Sequence, residues 1–312
     1  MNQLKSLKQL TKLAYRVNST RTLINNNLLK TYTTSSSSTA QSSNNFNTTV
    51  NASEIEKFKK MSDSWWDSRG PFEMLHLMNP SRIEFVLNKT ILHTKNNKQV
   101  FKGLKVLDVG CGGGLVSEAL ARLGAEVTGI DAGEDNIKIA KLHQQKDPKI
   151  NEESGLLNYR AITSDQLLSE GGSSQYDIVC SFEVIEHVDN PSHFMKSLVE
   201  LVKPGGQLFM STINRSPMAF LQTIVIAEYL LNFVPKGTHD FNKYLTPDEL
   251  KALVKDNNLE FGEINDIVYN PLTHSFTLQS AIPLYPLDYI PIIGKELTAP
   301  MNYIIQAKKP LV

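Results

Sequence analysis

The sequence predicts an α/β protein with a doubly wound, mostly parallel sheet. From Leu104 onward, short apolar runs alternate with amphipathic helical patterns, an order typical of parallel sheets covered by helices on both faces. Glycines join the first strand to the first helix at residues 110–114, as in many folds that bind a ligand at this turn. The chain of 312 residues is long enough to bury a large core.

Seven strands are predicted, at residues 104–110, 126–131, 156–163, 176–182, 206–212, 261–269 and 302–308. Helices are predicted between them, at residues 114–123, 134–145, 191–202 and 246–257. The last helix is the best defined, because "TPDE" provides Thr246 as N-cap, Pro247 in the first turn and Glu249 to complete a capping box.

The residues before the sheet fall into two segments. Residues 1–52 are predicted to be a mitochondrial transit peptide, since residues 1–53 contain six Lys or Arg and no Asp or Glu. An ordinary disordered tail is the alternative. Residues 53–103 are predicted to form an N-terminal helical cap. Its first helix would begin with Ser53 as N-cap, and its second with Asn79 as N-cap and Pro80 in the first turn.

Residues 104–312 are predicted to form the main domain, with an insertion at 213–242. The apolar run "MAFLQTIVIAEYLLNFV" in this insertion is shorter than the ~20 residues needed to cross a bilayer. It could be an amphipathic helix that contacts a membrane, an interface with another protein, or a lid packed on the core. The apolar residues concerned are Phe220, Leu221, Ile224, Ile226, Leu230 and Phe233.

Charge and cysteine content argue against a nucleic-acid-binding protein and against a protein stabilised by disulfides. After residue 53 the chain holds 26 basic and 32 acidic residues, and this mildly acidic balance argues against nucleic-acid binding. Cys111 and Cys180 are the two cysteines, so no disulfide framework is expected.

The glycine turn is compatible with a ligand that carries no phosphate. Gly110 and Gly112 match the first two positions of the dinucleotide pattern G-x-G-x-x-G, but Leu115 occupies the sixth. Asp131 ends the second strand, where its two oxygens could accept hydrogen bonds from both hydroxyls of a ribose. An NAD(P)-dependent dehydrogenase is an alternative that Leu115 disfavours.

The segment "EVIEH" follows the fourth strand and carries a second candidate site. Glu183, Glu186 and His187 have i, i+3, i+4 spacing, so one helical turn would place them on one face. Two carboxylates and an imidazole suit a divalent cation: Mg²⁺ by the carboxylates, Zn²⁺ or Mn²⁺ by the histidine. The alternative is a helix N-terminus stabilised by Glu183.

Several motifs resemble known families. "VLDVGCGGG" followed by "GID", and "LVKPGGQLFMST", resemble motifs of the Rossmann-like class I methyltransferases that use S-adenosyl-L-methionine (AdoMet). "WWDSRGPFEMLHLMNPSR", "SFEVIEHV" and "EYLLNFVPKGTHDF" resemble the ubiquinone-biosynthesis O-methyltransferase family, over about residues 54–275. The resemblance implies methyl transfer from AdoMet to a phenolic hydroxyl of polyprenylated precursors, namely 3,4-dihydroxy-5-polyprenylbenzoate and demethylubiquinol.

The same resemblance implies roles for individual residues. Gly110 would face the methionine part of AdoMet, Asp131 would bind its ribose, Arg82 would hold its carboxylate and Phe182 would contact it. The family is described as Mg²⁺-dependent, which implies Glu183, Glu186 and His187 as metal ligands. His187 could instead be the catalytic general base, because one nitrogen cannot easily fill both roles. His239 and Asp240 are candidates for lining the substrate pocket.

The resemblance also implies a location and partners. The enzyme would lie on the matrix side of the mitochondrial inner membrane as a peripheral protein, in a complex with other coenzyme Q biosynthesis proteins. Two alternatives stay open: a non-catalytic methyltransferase-like subunit of such a complex, and a methyltransferase for a different small phenol or lipid.

Overall fold

The computed structural model describes residues 51–59, 62–90, 100–230, 237–270, 272–280 and 300–311. These residues belong to one compact unit. The predicted transit peptide at 1–52 lies outside the described residues except for its last two positions, so it stays a prediction.

One sheet of eight strands forms the centre of the described chain, in the order β3-β2-β1-β4-β5-β8-β6-β7. The strands are β1 (Lys105–Val109), β2 (Glu126–Asp131), β3 (Leu157–Ala161), β4 (Tyr176–Phe182), β5 (Val202–Ile213), β6 (Glu260–Asn270), β7 (Ser275–Ser280) and β8 (Asn302–Lys308). Strands β1 to β5 pair in parallel, and the pairs β5–β8, β8–β6 and β6–β7 are antiparallel.

The predicted fold class is confirmed, but the predicted number of seven strands is wrong. The additional strand is β7, which forms an antiparallel hairpin with β6 at the edge of the sheet. Only Phe276 of this strand is buried. Because an edge strand with one buried side chain has no continuous apolar run, its sequence carries little strand signal.

Two helices precede β1, and the others described here lie between strands, four of them as predicted. The helices are α1 (Ala52–Lys59), α2 (Glu73–Thr90), α3 (Leu115–Arg122), α4 (Glu134–Gln144), α5 (Ser164–Ser169), α6 (Pro191–Leu201) and α7 (Pro247–Asp256). The capping box predicted for α7 is confirmed, and α5, which the sequence reading missed, has a second one between Thr163 and Gln166.

The core consists of two apolar layers, one on each face of the sheet. Neighbouring residues of the central strands point to opposite layers: Val106 and Ile178 to one, Leu107 and Val179 to the other. Both faces are therefore covered, which explains why the parallel strands read as unbroken apolar runs. This arrangement leaves the carboxyl ends of β1, β2 and β4 as one edge at which loops can build a site.

The two predicted boundaries in the helical cap are wrong. Pro80 does not begin a helix but lies inside α2, although proline cannot donate the backbone hydrogen bond of a helix interior. The helix continues because Met78, Phe85 and Val86 bury their side chains in the core on either side of the proline. Asn79 is not an N-cap, and its Nδ2 donates to the carbonyl of Leu115 at 2.9 Å.

Helix α1 is capped by Asn51 and not by Ser53. The side-chain oxygen of Asn51 accepts hydrogen bonds from the N–H groups of Ser53 and Glu54, at 3.0 and 3.2 Å. Asparagine is among the best N-cap residues. The Asn51 amide also donates to Asp189 at 2.6 Å, so the start of α1 is tied to the loop that follows β4.

The described part of the insertion at 213–242 is helical. A short turn at Pro217–Ala219 leads into a π-helix at Phe220–Leu230. Residues 231–236, including Phe233, lie outside the described residues. Within the part of the chain that is described, every helix is too short or too polar to cross a membrane.

Candidate functional site

The glycine turn lies between β1 and α3, where the sequence predicts a ligand site. Gly110, Gly112 and Gly114 have φ values of 74°, 53° and 94°, a left-handed conformation that glycine adopts without strain. A Cβ at Gly110 would lie 2.4 Å from Val184 Cγ2, so no side chain fits there. The carbonyl of Ile130 in β2 holds the turn by accepting a hydrogen bond from Gly110 N at 2.8 Å.

Asp131 lies at the carboxyl end of β2, as predicted. Its Oδ2 accepts from Gly112 N at 2.9 Å, and its Oδ1 accepts from Gly133 N at 2.7 Å and from Asn136 Nδ2 at 3.1 Å. Burial raises the pKa of Asp131, although these three donors act in the opposite direction. Each carboxylate oxygen has two lone pairs, so one acceptor position remains, on Oδ2. The assignment of Asp131 to the ribose hydroxyls stays a prediction.

Trp65 is a site residue that the sequence analysis missed. Its indole lies on the glycine turn, since Cβ atoms added at Gly112 and Gly113 would each lie 2.5 Å from the ring. The indole stacks on Phe72 with 3.8 Å between ring centroids, and its Nε1 donates to Asn136 Oδ1 at 2.9 Å. The Asn136 amide thus links the N-terminal cap to Asp131. The tryptophan pair at the start of "WWDSRG" was the feature of the sequence that could have indicated this role.

Arg82 is buried in α2, beside the ends of β1 and β4. Its Nη2 lies 3.1 Å from Glu183 Oε1, and its guanidinium carbon lies 5.7 Å from the centroid of the Phe182 ring. Neither Nη2 nor Nε has a hydrogen-bond partner among the described residues. A guanidinium with two such donors is suited to a carboxylate, which can accept in a bidentate manner.

Asp108 is a second acidic residue that sequence reasoning missed, because it lies inside the apolar strand β1. Burial raises its pKa to about 6, opposed by a 2.6 Å hydrogen bond from Ser117 Oγ and by the charge of Arg82. Asp108 and Arg82 therefore influence each other electrostatically beneath the glycine turn.

The predicted helical turn through Glu183, Glu186 and His187 is wrong in one respect. Only Ile185–His187 forms a turn, of the 3-10 type, and Glu183 precedes it with a left-handed φ of 55°. Hydrogen bonds from Ser211 Oγ and Asn302 Nδ2, both at 2.8 Å, hold the Glu183 carboxylate. These contacts to β5 and β8 override the local helical spacing.

Glu186 and His187 are both largely buried. Thr212 Oγ1 donates to Glu186 Oε2 at 2.8 Å, while Oε1 has no partner within the described part of the chain. Burial and the nearby charge of Glu183 raise the pKa of Glu186 to about 7. Burial lowers the pKa of His187, but a 3.0 Å hydrogen bond to Glu54 and the nearby carboxylates outweigh it, so the net shift is upward.

The predicted metal ligands are neighbours, but they do not converge on one point. In the residues that the structure describes, no three His, Cys, Asp or Glu side chains are placed to hold a metal ion. The reason is visible at Glu183, whose oxygens face Arg82, Ser211 and Asn302. The assignment of Mg²⁺ to these residues stays a prediction.

His239 and Asp240, the candidates for lining the pocket, have separate roles in the loop after the π-helix. The Asp240 carboxylate accepts from Asn242 N at 2.9 Å and caps the 3-10 turn at Phe241–Lys243. His239 instead contacts the buried Glu228 of the π-helix, through Nδ1 at 2.9 Å.

Comparisons with known proteins identify the family of this chain. A family model described as a methyltransferase domain matches residues 81–263. The chain is 43% identical to the mitochondrial ubiquinone biosynthesis O-methyltransferase of Arabidopsis thaliana, over 78% of this chain and 74% of that protein. It is 44% identical to the ubiquinone biosynthesis O-methyltransferase of Dinoroseobacter shibae, over 74% of this chain and 91% of that protein.

Among solved structures, the chain is similar to magnesium protoporphyrin IX methyltransferase from Synechocystis PCC 6803 with bound SAH. The TM-score is 0.52 at 15% identity, over 83% of this chain and 95% of the other. At this identity the similarity supports the fold alone.

The raised pKa of Glu186 predicts a stability that depends on pH. An acid whose pKa rises on folding, here from 4.5 to about 7, makes the folded state less stable as pH increases between those values. Relative to wild type, Glu186→Gln should therefore gain about 1–3 kcal/mol of unfolding free energy between pH 4.5 and about pH 8. Urea denaturation in EDTA measures this difference.

The control for this experiment is Glu153→Gln, which changes an exposed carboxylate in the 3-10 turn at Glu152–Ser154. Its stability relative to wild type should not vary with pH over the same range. An equal pH dependence in the two variants would show that Glu186 is not perturbed by burial.

Proposed function

This chain belongs to the ubiquinone biosynthesis O-methyltransferase family, and on that premise we propose that it methylates hydroxyls of polyprenylated dihydroxybenzoates and quinols. The specific substrates proposed are 3,4-dihydroxy-5-polyprenylbenzoate and demethylubiquinol. The methyl donor is AdoMet, and family membership removes the alternative of an NAD(P)-dependent dehydrogenase.

The observation that carries the proposal is the incompletely paired guanidinium of Arg82. Its Nε is buried without a partner among the described residues, and its Nη2 lies 3.1 Å from Glu183 Oε1 without forming a hydrogen bond. Leaving buried donors without hydrogen bonds costs stability. The carboxylate of AdoMet would satisfy both. The glycine turn allows close approach of a ligand to the backbone, and Oδ2 of Asp131 has one acceptor position left for a ribose hydroxyl. The residues present therefore fit AdoMet.

When bound, AdoMet supplies an electrophilic methyl group on a positively charged sulfur. The contribution of the chain is to hold the donor through Arg82, Gly110 and Asp131, to keep water out and to orient the phenolic oxygen. Phe182 contributes through its position beside Arg82. A group that removes the phenolic proton is also required, and His187 is one candidate.

We also propose that Glu183, Glu186 and His187 hold Mg²⁺. Mg²⁺ prefers carboxylate oxygens, and Glu186 Oε1 is a buried acceptor without a partner among the described residues. For this site to form, the Glu183 carboxylate would have to leave its ion pair with Arg82 and bind the metal ion instead. A bound Mg²⁺ would act as a Lewis acid that favours the ionised phenol.

A peripheral membrane location is proposed from the surface of the π-helix. Phe220, Leu221, Tyr229 and Leu230 expose 40%, 41%, 60% and 71% of their surfaces, and an apolar helix face of this kind can enter a lipid interface. A polyprenylated substrate resides in lipid. The acid-free N-terminal segment and the mitochondrial relative support the matrix side of the inner membrane, with other coenzyme Q biosynthesis proteins as partners.

The first test is binding and turnover. Calorimetry should detect AdoMet binding, and the enzyme should methylate a dihydroxybenzoate with a short prenyl chain. Arg82→Gln should weaken AdoMet binding about ten- to a hundred-fold, as expected for a lost charge-assisted hydrogen bond. Arg160→Gln, which removes a surface ion pair with Glu170, is the control. A protein that binds AdoMet but methylates neither proposed substrate would be the non-catalytic subunit or an enzyme for another phenol.

The metal proposal is tested by titrating Mg²⁺ into the full-length protein in a calorimeter. Glu183→Gln and Glu186→Gln should each weaken binding at least about ten-fold, because each removes a charged oxygen donor. Glu263→Gln, at an exposed residue, should bind like wild type. Binding that is unchanged in both site variants would remove the metal assignment.

Liposome flotation tests the membrane proposal. The double variant Phe220→Glu with Leu221→Glu should lose flotation with cardiolipin-containing vesicles, since charge on the apolar face opposes insertion. Leu142→Glu, at an exposed leucine of α4, should float as wild type does. Equal flotation of the double variant and wild type would exclude the π-helix as the contact.

A further inference from the structure

A buried carboxylate organises the loop that follows the π-helix. Glu228 is 1% exposed and accepts three hydrogen bonds from that loop. Gly237 N donates to its Oε2 at 2.7 Å, while His239 N and His239 Nδ1 donate to its Oε1 at 2.8 and 2.9 Å. Both the backbone and the ring of His239 are therefore fixed relative to the π-helix.

This contact determines which ring nitrogen of His239 carries the proton. A carboxylate only accepts hydrogen bonds, so Nδ1 must be the donor and the neutral ring has its lone pair on Nε2. No described residue forms a hydrogen bond with Nε2. The ring packs edge-on against Tyr244 at 6.4 Å, and Tyr244 is itself held by Thr223 through a 2.8 Å hydrogen bond between the hydroxyls.

His239 is close enough to residues that follow β4 to interact with them electrostatically. Its charge interacts with those of His187 and Glu183, and with that of Glu228 from the π-helix. Burial, reinforced by the charge of His187, lowers the pKa of His239 against the opposing effects of Glu228 and Glu183. The ring is accordingly neutral at physiological pH, the form that can accept a proton.

We propose that His239 is the general base of the methyl transfer, with Glu228 as its positioning residue. The inference rests on the function proposed above. Nε2 of His239 takes the proton from the phenolic hydroxyl, and the oxygen forms a bond to the methyl carbon. The carbon–sulfur bond breaks with its electron pair going to sulfur, which becomes a neutral thioether. The imidazolium then releases its proton to water.

His187 is a candidate for two roles, metal ligand and general base, and His239 offers a separate residue for the second. His187 Nδ1 is hydrogen-bonded to Glu54, and His187 is proposed above as a ligand of Mg²⁺. A ring nitrogen that binds a metal ion through its lone pair cannot also accept the proton of the phenol. His239 has no proposed metal role, and its ring is held by Glu228 through Nδ1.

The test compares two phenols in His239→Gln. With the short-chain prenyl dihydroxybenzoate, kcat should fall about a hundred-fold or more, the usual loss for a general base. With the matching compound that carries a nitro group para to the reacting hydroxyl, the loss should be less than about ten-fold, because that hydroxyl is already ionised. AdoMet binding by calorimetry should be unchanged. His274→Gln, at an exposed histidine far from the site in sequence, should resemble wild type.

A pH profile provides the second readout. In wild type, kcat should fall at acidic pH as His239 becomes protonated. In Glu228→Gln that fall should shift to lower pH, because removal of the negative charge lowers the pKa of His239. In His239→Gln it should disappear.

Three results would overturn the proposal. In the first, kcat of His239→Gln falls by the same factor with both phenols, which indicates a structural role. In the second, His187→Gln and not His239→Gln loses less kcat with the nitro compound than with the other phenol. In the third, His239→Gln keeps full activity. A wild-type enzyme that binds AdoMet but methylates neither phenol would overturn the proposed function, and this inference with it.

Discussion

The positive charge of Arg82 is buried in the interior. Among the described residues, the carboxylate of Glu183 lies within ion-pairing distance of it. Burial of a charge is costly unless it is paired and hydrogen-bonded. The pairing is maintained because Ser211 and Asn302 hold Glu183 against the arginine. Helix α2 and strands β4, β5 and β8 are thus arranged around the guanidinium of Arg82. The donors of this group that form no hydrogen bond with the described residues can bind the carboxylate of a ligand.

Local signals in the sequence identified the parts of the site that depend on local geometry. The strand–glycine–helix unit at residues 104–123 and the acid at Asp131 were predictable because turn chemistry and strand ends fix them. Helix α7 was predictable because its capping box is contiguous in sequence. Contacts between distant segments were not predictable: Glu183 leaves the expected helical turn because β5 and β8 hold its side chain. The partnership of Trp65 with Asn136 spans 71 positions and has no local signature.

The π-helix combines two kinds of residue in an unusual way. Its apolar side chains at Phe220, Leu221 and Leu230 are exposed, whereas Thr223 and Glu228 are buried. This reverses the arrangement of an ordinary surface helix. The buried polar groups are satisfied by Tyr244 and by the loop at residues 237–239. One element therefore connects an apolar outer surface to the ring of His239.

The indole of Trp65 occupies the space above Gly112 and Gly113. Any side chain at either glycine would displace the ring, break its hydrogen bond to Asn136 and disturb the stack with Phe72. Trp65, nearly fifty positions upstream, therefore limits both positions to glycine. Substitutions at the glycine pair and at position 65 should therefore be correlated among related proteins. A paralogue with a smaller residue at position 65 could carry larger side chains in the turn.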